Sequence, residues 1–260
     1  MLIPSISPYL GLPISMIIAL VAYKKKSTTI DGCFAMVLLG TGIHYCGGLT
    51  ADLPLLLFFV IGSALSKFHP NPIQNIHQEE HARTAQQVLA NGLTPLLAII
   101  LYYIYMSVPL LILYFGTVGI HLADTMSSEI GTYKKRKTYD LLSWKPITQG
   151  LSGGVSLIGL VAAAVGGLIM GILAFALIPS TMPITILTIT AISFSGALLD
   201  SLLGKILQVK YLCRNGHLTE KTHCHNAATQ HFSGQAWANN STINLLSALL
   251  PWLILSLLMI

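Results

Sequence analysis

From Leu157 to Ile178 the chain reads LIGLVAAAVGGLIMGILAFALI, without one ionisable side chain. A surface helix of a soluble protein needs a polar face, and this run has none. Its length matches the roughly 20 residues that carry an α-helix through about 30 Å of hydrocarbon. Apolar runs recur at 6–23, 32–49, 53–66, 92–106, 108–125, 151–178, 183–203 and 243–260, which predicts about eight transmembrane helices. Composition agrees: 53% of residues are hydrophobic and 9% charged, against about 25% charged in soluble domains. Because the runs are continuous and do not alternate, an outer-membrane β-barrel is excluded. The expected fold is an all-α polytopic membrane bundle, a single domain over residues 1–260.

Residues 1–22 have the length of a secretory signal. They lack a basic leader, Pro4, Pro8 and Pro13 interrupt them, and Lys24, Lys25 and Lys26 follow where a signal would have them precede. A retained first helix is expected.

The basic residues test the map. If the helices alternate in direction, the loops 24–31, 67–91, 126–150 and 204–242 share one side, and together they hold all 14 lysines and arginines. Basic loops stay in the cytoplasm, so both termini are expected outside and four polar loops inside. The net charge of +5 is then an orientation signal and an attraction to anionic headgroups, not a sign of nucleic-acid binding.

Four cysteines give no disulfide framework: Cys33 and Cys46 fall in an apolar run, and Cys213 and Cys224 in a loop assigned to the reducing side. The segment 205–238 is rich in Cys and His, with His217, His223, His225 and His231 beside those two cysteines. Thiolate and imidazole are zinc's preferred ligands, but the spacing matches no standard finger, and a solvated His-rich loop is the expectation.

Against so apolar a background, the remaining polar residues stand out. In ADTMSSEIG (123–131), Asp124 and Ser128 are four apart and share a helix face, with Glu129 about 100° further round. Asp200 ends another apolar run in GALLDSLLGKILQ, followed by Ser201, Gly204, Lys205 and Gln208. A carboxylate near hydrocarbon costs several kcal/mol unless it snorkels to water or faces a cavity, a cation or a basic partner. In SWKPITQGLSGGVSLIGL (143–160), Gly150, Ser152, Gly153 and Gly154 precede a helix, so backbone amides and the helix dipole can meet an anion, with Lys145 upstream; close helix packing is the alternative use of such glycines, as expected for Gly167 and Gly171. Asn240 and Asn244, four apart with Asn239 adjacent, can cap the last helix or hold a ligand's hydroxyls. Gln87 and Asn91 open the fourth apolar run, where Asn91-Gly92 also reads as a turn, and Lys67 closes the third as an anchor or a partner.

All these clusters fall on one predicted side. Carboxylates suit Mg²⁺, which bridges phosphate oxygens, while lysines and amides neutralise charge on a polyphosphate. A substrate with a lipid tail would explain why such a site is built from membrane helices.

The succession IGSALSKF (61–68), QQVLANG (86–92), ADTMSSEIG (123–131), SWKPITQGLSGGVSLIGL (143–160), GALLDSLLG (196–204) and NNSTINLLSALL (239–250) resembles the transmembrane protein 19 family, which includes plant and cyanobacterial phytyl-phosphate kinase. The resemblance runs in order over residues 24–255. It implies nucleotide-dependent phosphorylation of an isoprenoid monophosphate to the diphosphate. A more distant similarity to the dolichol kinase and CDP-diacylglycerol synthase group implies CTP and a divalent metal. Family members often carry GTxGGV where this chain has Gly150-Leu151-Ser152-Gly153-Gly154-Val155, and the Cys/His-rich 205–238 is not a family trait.

The expected roles follow. Asp124, Glu129 and Asp200 hold Mg²⁺; Gly150, Ser152, Gly153, Gly154 and Ser128 cradle the phosphates of CTP or ATP; Lys67 or Lys145 stabilises the transferring group; Asn91, Gln87, Ser201, Asn240 and Asn244 position the isoprenoid phosphate head. Two other readings use the same residues: a cytidylyltransferase making a CDP-lipid, and a transporter with Asp124 and Asp200 as intramembrane ion sites.

Overall fold

A computed structural model describes residues 7–68, 82–134, 136–179, 181–224 and 227–259. Pro4 and His225, named above, lie outside the described residues, as does Lys135. Among the described residues seven α-helices follow a short 3₁₀ turn: α1 (Gly11–Lys24), α2 (Ile30–Phe68), α3 (Ala85–Tyr105), α4 (Val108–Thr132), α5 (Leu157–Leu177), α6 (Ile184–Ile206) and α7 (Asn240–Met259). The helices α2 to α6 are each long and apolar enough to cross a membrane.

The 39-residue α2 is two helices run together across Gly48, and its arms answer to the second and third apolar runs. Straight, it would be about 58 Å long. It is instead bent double at Gly48, whose backbone takes φ 57° and ψ −153°, a conformation open to glycine and closed to residues with a Cβ. The reversal leaves His44 Nδ1 2.6 Å from Asp52 Oδ2 across the turn, although eight residues separate them. It also returns the far end of α2 to its start, where Lys67 Nζ donates to Lys25 O at 2.8 Å.

α4 is the axis of the bundle. Leu111, Leu113, Tyr114, Phe115, Val118 and Leu122 are all buried on it, and Tyr114 Oη donates to Ala51 O just past the Gly48 turn. Around it, α5 and α6 come close through small residues. A Cβ on Gly171 would stand 2.6 Å from Ile186 O, one on Gly167 3.0 Å from Thr190 O, and one on Gly166 3.0 Å from Ala123 Cα. In lipid, where apolar burial gives helices little reason to associate, such backbone approach supplies the dispersion contacts that hold them. The packing role expected of Gly167 and Gly171 is thus met. Outward, α5 exposes Leu157, Val161, Val165, Leu168, Ile172 and Phe175, a helical stripe that would aggregate in water and is at home in acyl chains.

The connections at one end of the bundle add structure that an all-α expectation lacks. β1 (Thr138–Asp140), β2 (Pro146–Ile147) and β3 (Gly154–Val155) form a sheet in the order β2-β1-β3. β4 (Lys210–Leu212), β5 (Leu218–Thr219) and β8 (Gln230–Ser233) form a second, in the order β5-β4-β8, and β6 (His223–Cys224) pairs with β7 (Ala227–Ala228). The 205–238 segment is therefore folded, and a disulfide joins Cys213 to Cys224. The sequence suggests no such bridge: the turn after β4 returns the chain alongside itself, bringing the two Cα atoms to 5.9 Å, within bridging distance. Among the described residues there, which leave out His225, no group of three or more metal-ligating side chains occurs.

Candidate functional site

The start of α3 organises one wall of the site. Asp31 Oδ2 accepts from Ala85 N at 2.9 Å, and Gln87 Oε1 accepts from Thr84 N at 2.9 Å, so the first turn is capped from two sides. Ahead of it, Arg83 is clamped by its backbone: its N–H donates to Ser27 O, and its carbonyl accepts from Thr29 N and Thr28 Oγ1. Its guanidinium lies over the rings of Phe58 and Phe59, 5.0 and 5.3 Å from their centres, and the bare Cα of Gly62 leaves it room. Asn91-Gly92 sits inside α3 and is not the turn that its sequence also allows.

A second wall is the loop between α4 and α5. Gln149 ties it to the end of α4, its Nε2 donating to Gly131 O at 3.0 Å and Lys134 O at 2.9 Å. Gly150 and Gly153 take φ of 91° and 88°, and a Cβ on Gly153 would stand 2.5 Å from Lys205 Cβ. Leu141 N donates to Gly153 O, β3 pairs with β1, and Ser156 Oγ caps α5 by accepting from Gly159 N. Not all of the loop's amides face outward as expected: Ser152 N donates to Glu220 Oε1 at 2.9 Å and Gly154 N to Leu151 O. Glu220 is in turn held by Gln208 Nε2 at 2.7 Å. Behind the loop, Lys205 pairs with Asp140. The Lys205 ammonium, with hydrogen bonds from Ser143, holds the Asp140 carboxyl down to about 2 against the opposing effect of its burial.

These walls enclose a cavity of about 640 Å³. Asp124, Glu129, Asp200, Lys67, Ser128, Gly150, Ser152, Gly153, Gly154, Ser201, Gln87, Asn91, Asn240 and Asn244 all line it. Asp200 is buried at 9% exposure and accepts from Ser247 Oγ at 2.8 Å. With its amide nitrogen turned toward α6, Asn244 donates to Asp200 Oδ1 at 3.1 Å; in the opposite orientation it donates to Asn91 Oδ1 at 3.3 Å. Asn239 takes the capping role, its Oδ1 accepting from Thr242 N at 3.0 Å, which leaves Asn240 and Asn244 to face the cavity. Glu129 Oε1 accepts from Ser66 Oγ at 2.6 Å.

Two expectations are not met. Lys145 is exposed on the β1–β2 hairpin and lies outside the cavity lining, because Asp140 N donates to its carbonyl and turns the chain away. Asp124, Glu129 and Asp200 share the cavity, yet no three acidic, His or Cys residues gather as one ligand set among the described residues. The cavity also holds residues that sequence reasoning missed: Arg83, Lys26, Ser63, Ser66 and Thr138. The hydroxyls of Ser63 and Thr138 are buried with no hydrogen-bond partner among the described residues, the condition of groups placed to meet a ligand. At the other end of the bundle, the His44–Asp52 pair breaks the expectation that every polar cluster lies on one side.

The fold and cavity define a polytopic membrane protein with a charged chamber at one end of its bundle. The chain belongs to the family described as integral membrane protein DUF92, whose profile matches residues 13–251. It is 27% identical over 210 residues to the uncharacterised membrane protein MJ0933 of Methanocaldococcus jannaschii, covering 81% of this chain and 87% of that one. It is 29% identical over 227 residues to protein PGR of Arabidopsis thaliana, covering 77% and 78%. No solved structure matches it.

Proposed function

We propose that this protein is a membrane phosphotransferase that moves the terminal phosphoryl group of CTP or ATP onto an isoprenoid monophosphate, with the cavity on the cytoplasmic side. The observation that carries this reading is the cavity's lining. Carboxylates from α4 and α6 line it together with Lys26, Lys67 and Arg83, a positive-φ glycine loop, and the buried Ser63 and Thr138 hydroxyls, which have no hydrogen-bond partner among the described residues. Such a chamber needs an occupant that carries both negative charge and a counter-cation. A bound Mg²⁺ would be held by Asp124 and Asp200, with Glu129 flanking, and would neutralise phosphate oxygens. The scattered placement of these acids fits an ion that takes one or two carboxylates and completes its shell with water and substrate phosphate.

The side chains supply the rest. Arg83 and Lys67 bind the phosphates and stabilise the charge that spreads over the transferring group. Asn240, Asn244 and Ser201 orient the acceptor head. The acceptor's anionic monoester oxygen bonds to the γ-phosphorus while the bond from that phosphorus to the bridging oxygen breaks, and its electron pair leaves on the nucleoside diphosphate. No general base is required, because the acceptor oxygen is already anionic. Lys145, outside the lining, has no part in this scheme. The test is product analysis: purified protein with Mg²⁺, labelled CTP or ATP and a panel of prenyl monophosphates. Release of nucleoside diphosphate with prenyl diphosphate is expected. Release of pyrophosphate with a CDP-lipid would make it a cytidylyltransferase, and no nucleotide turnover would overturn both.

A further inference from the structure

A second hollow lies beside the charged chamber, between α1, α2 and α3. Its walls are Ile14 and Ile18, Met36 and Leu55, and Val88, and it is almost wholly apolar. Arg83, Gln87 and Asn91 line both spaces, so the two meet at the mouth of α3. At that junction the Arg83 guanidinium covers the Phe58 and Phe59 rings, presenting charge toward the chamber and ring carbons toward the hollow. The one acid on its lining among the described residues, Asp52, is already hydrogen-bonded to His44.

From this juxtaposition we propose that the α1–α2–α3 hollow seats the first part of the apolar chain of a lipid whose phosphorylated head occupies the charged chamber. The proposal rests on the phosphate-handling reading of that chamber. Water does not suit the hollow, since a buried water needs two to four polar partners. A peptide does not suit it either, because its amides would go unsatisfied in an apolar groove at membrane depth. A hydrocarbon chain has no such needs. At about 100 Å³ the hollow is much smaller than the 640 Å³ chamber, so it takes the carbons next to the head and not a whole long chain. Leu56, on its rim, is 38% exposed, which opens the hollow sideways to lipid and lets the remaining carbons run into the bilayer. The arrangement selects for a chain that is apolar from its first carbons onward.

The test uses full-length protein in phosphatidylcholine liposomes and a farnesyl phosphate analogue with a diazirine on the isoprene unit next to the phosphate. On illumination, adducts are expected on the peptides that hold Ile14, Ile18, Met36, Leu55 and Val88, and excess farnesyl phosphate should suppress them. Adducts spread over the lipid-facing stripe of α5, and not suppressed, would overturn the proposal. Narrowing the hollow by Ile18→Trp, or separately Met36→Trp, should raise KM for farnesyl phosphate and for the five-carbon dimethylallyl phosphate about tenfold, leaving KM for the nucleotide unchanged. An equal change in all three would count against a chain site. Labelling of the hollow without turnover of any nucleotide would retain the proposal and remove the phosphotransfer reading. Turnover without such labelling would do the reverse.

Discussion

Asp52 and Asp200 are both carboxylates set among membrane helices, and they illustrate two fates of a charge in an apolar bundle. Asp52 stands beside the Gly48 turn, 2.6 Å from His44, and the space next to it is apolar. Asp200, buried to 9% exposure, accepts from a serine hydroxyl and opens onto a chamber with two further acids and three cations. The first is hydrogen-bonded to a ring across the Gly48 turn, so it holds the two arms of α2 together. The second accepts from a serine on α7 and faces room for a ligand. An acid within a membrane is a functional candidate by default, and what separates these two is the polar volume beside each.

Substitution should expose that difference most sharply. Asp124→Asn or Asp200→Asn should lower turnover by on the order of a hundredfold to a thousandfold with melting temperature nearly unchanged, as read by a nucleotide-turnover assay and a thermal-shift assay on the same preparation. Asp52→Asn should do the opposite, costing about 1–3 kcal/mol of stability by weakening the hydrogen bond to His44 while kcat stays near wild type. Comparable loss of turnover in all three would erase the distinction. Next in size, Gly153→Ala places a Cβ on a left-handed residue and against Lys205, for about 1–3 kcal/mol of strain, and should raise KM for nucleotide more than KM for the lipid phosphate.

A smaller effect is expected from the disulfide. Glu220, which holds the Ser152 amide, lies in the segment closed by Cys213–Cys224, so reduction should raise KM for nucleotide modestly without unfolding the bundle. If the cavity side is cytoplasmic, thiol trapping in intact cells should find both cysteines reduced, and an intact bridge there would place this end in an oxidising compartment. The least effect concerns pH. Asp140's carboxyl is held below its ordinary 3.8, down to about 2. Its ion pair therefore contributes fully above about pH 4 and is lost as pH falls toward 2. Amide exchange over residues 138–155 should rise in that window, and a flat profile would show that Lys205 does not hold the loop.

Much of this site was legible because charge is rare in the chain. Asp124, Asp200 and the glycines of 150–154 interrupt apolar runs, where a polar residue is expensive and therefore conspicuous. Arg83 was not legible: it follows a polar stretch, where one more cation has no contrast, and only the clamp to Ser27 and Thr29 carries it to the chamber. Lys145 was misplaced for the converse reason, since its nearness in sequence to Gly150 ignores the hairpin between them. The eight apolar runs gave the helices and the reversal between the second and third, but not its place at Gly48, which looks like any glycine in a membrane helix until its φ is known. The His44–Asp52 pair and the Cys213–Cys224 bridge depend on chain reversals that periodicity does not encode.

The central claim is that Asp124 and Asp200 serve one metal-bound phosphate. Equilibrium binding of labelled CTP and ATP, with and without Mg²⁺, tests it in wild type, Asp124→Asn, Asp200→Asn and Asp52→Asn. The account predicts Mg²⁺-dependent binding in wild type and Asp52→Asn, and its loss in the other two. Equal binding in all four, or binding indifferent to Mg²⁺, would contradict it.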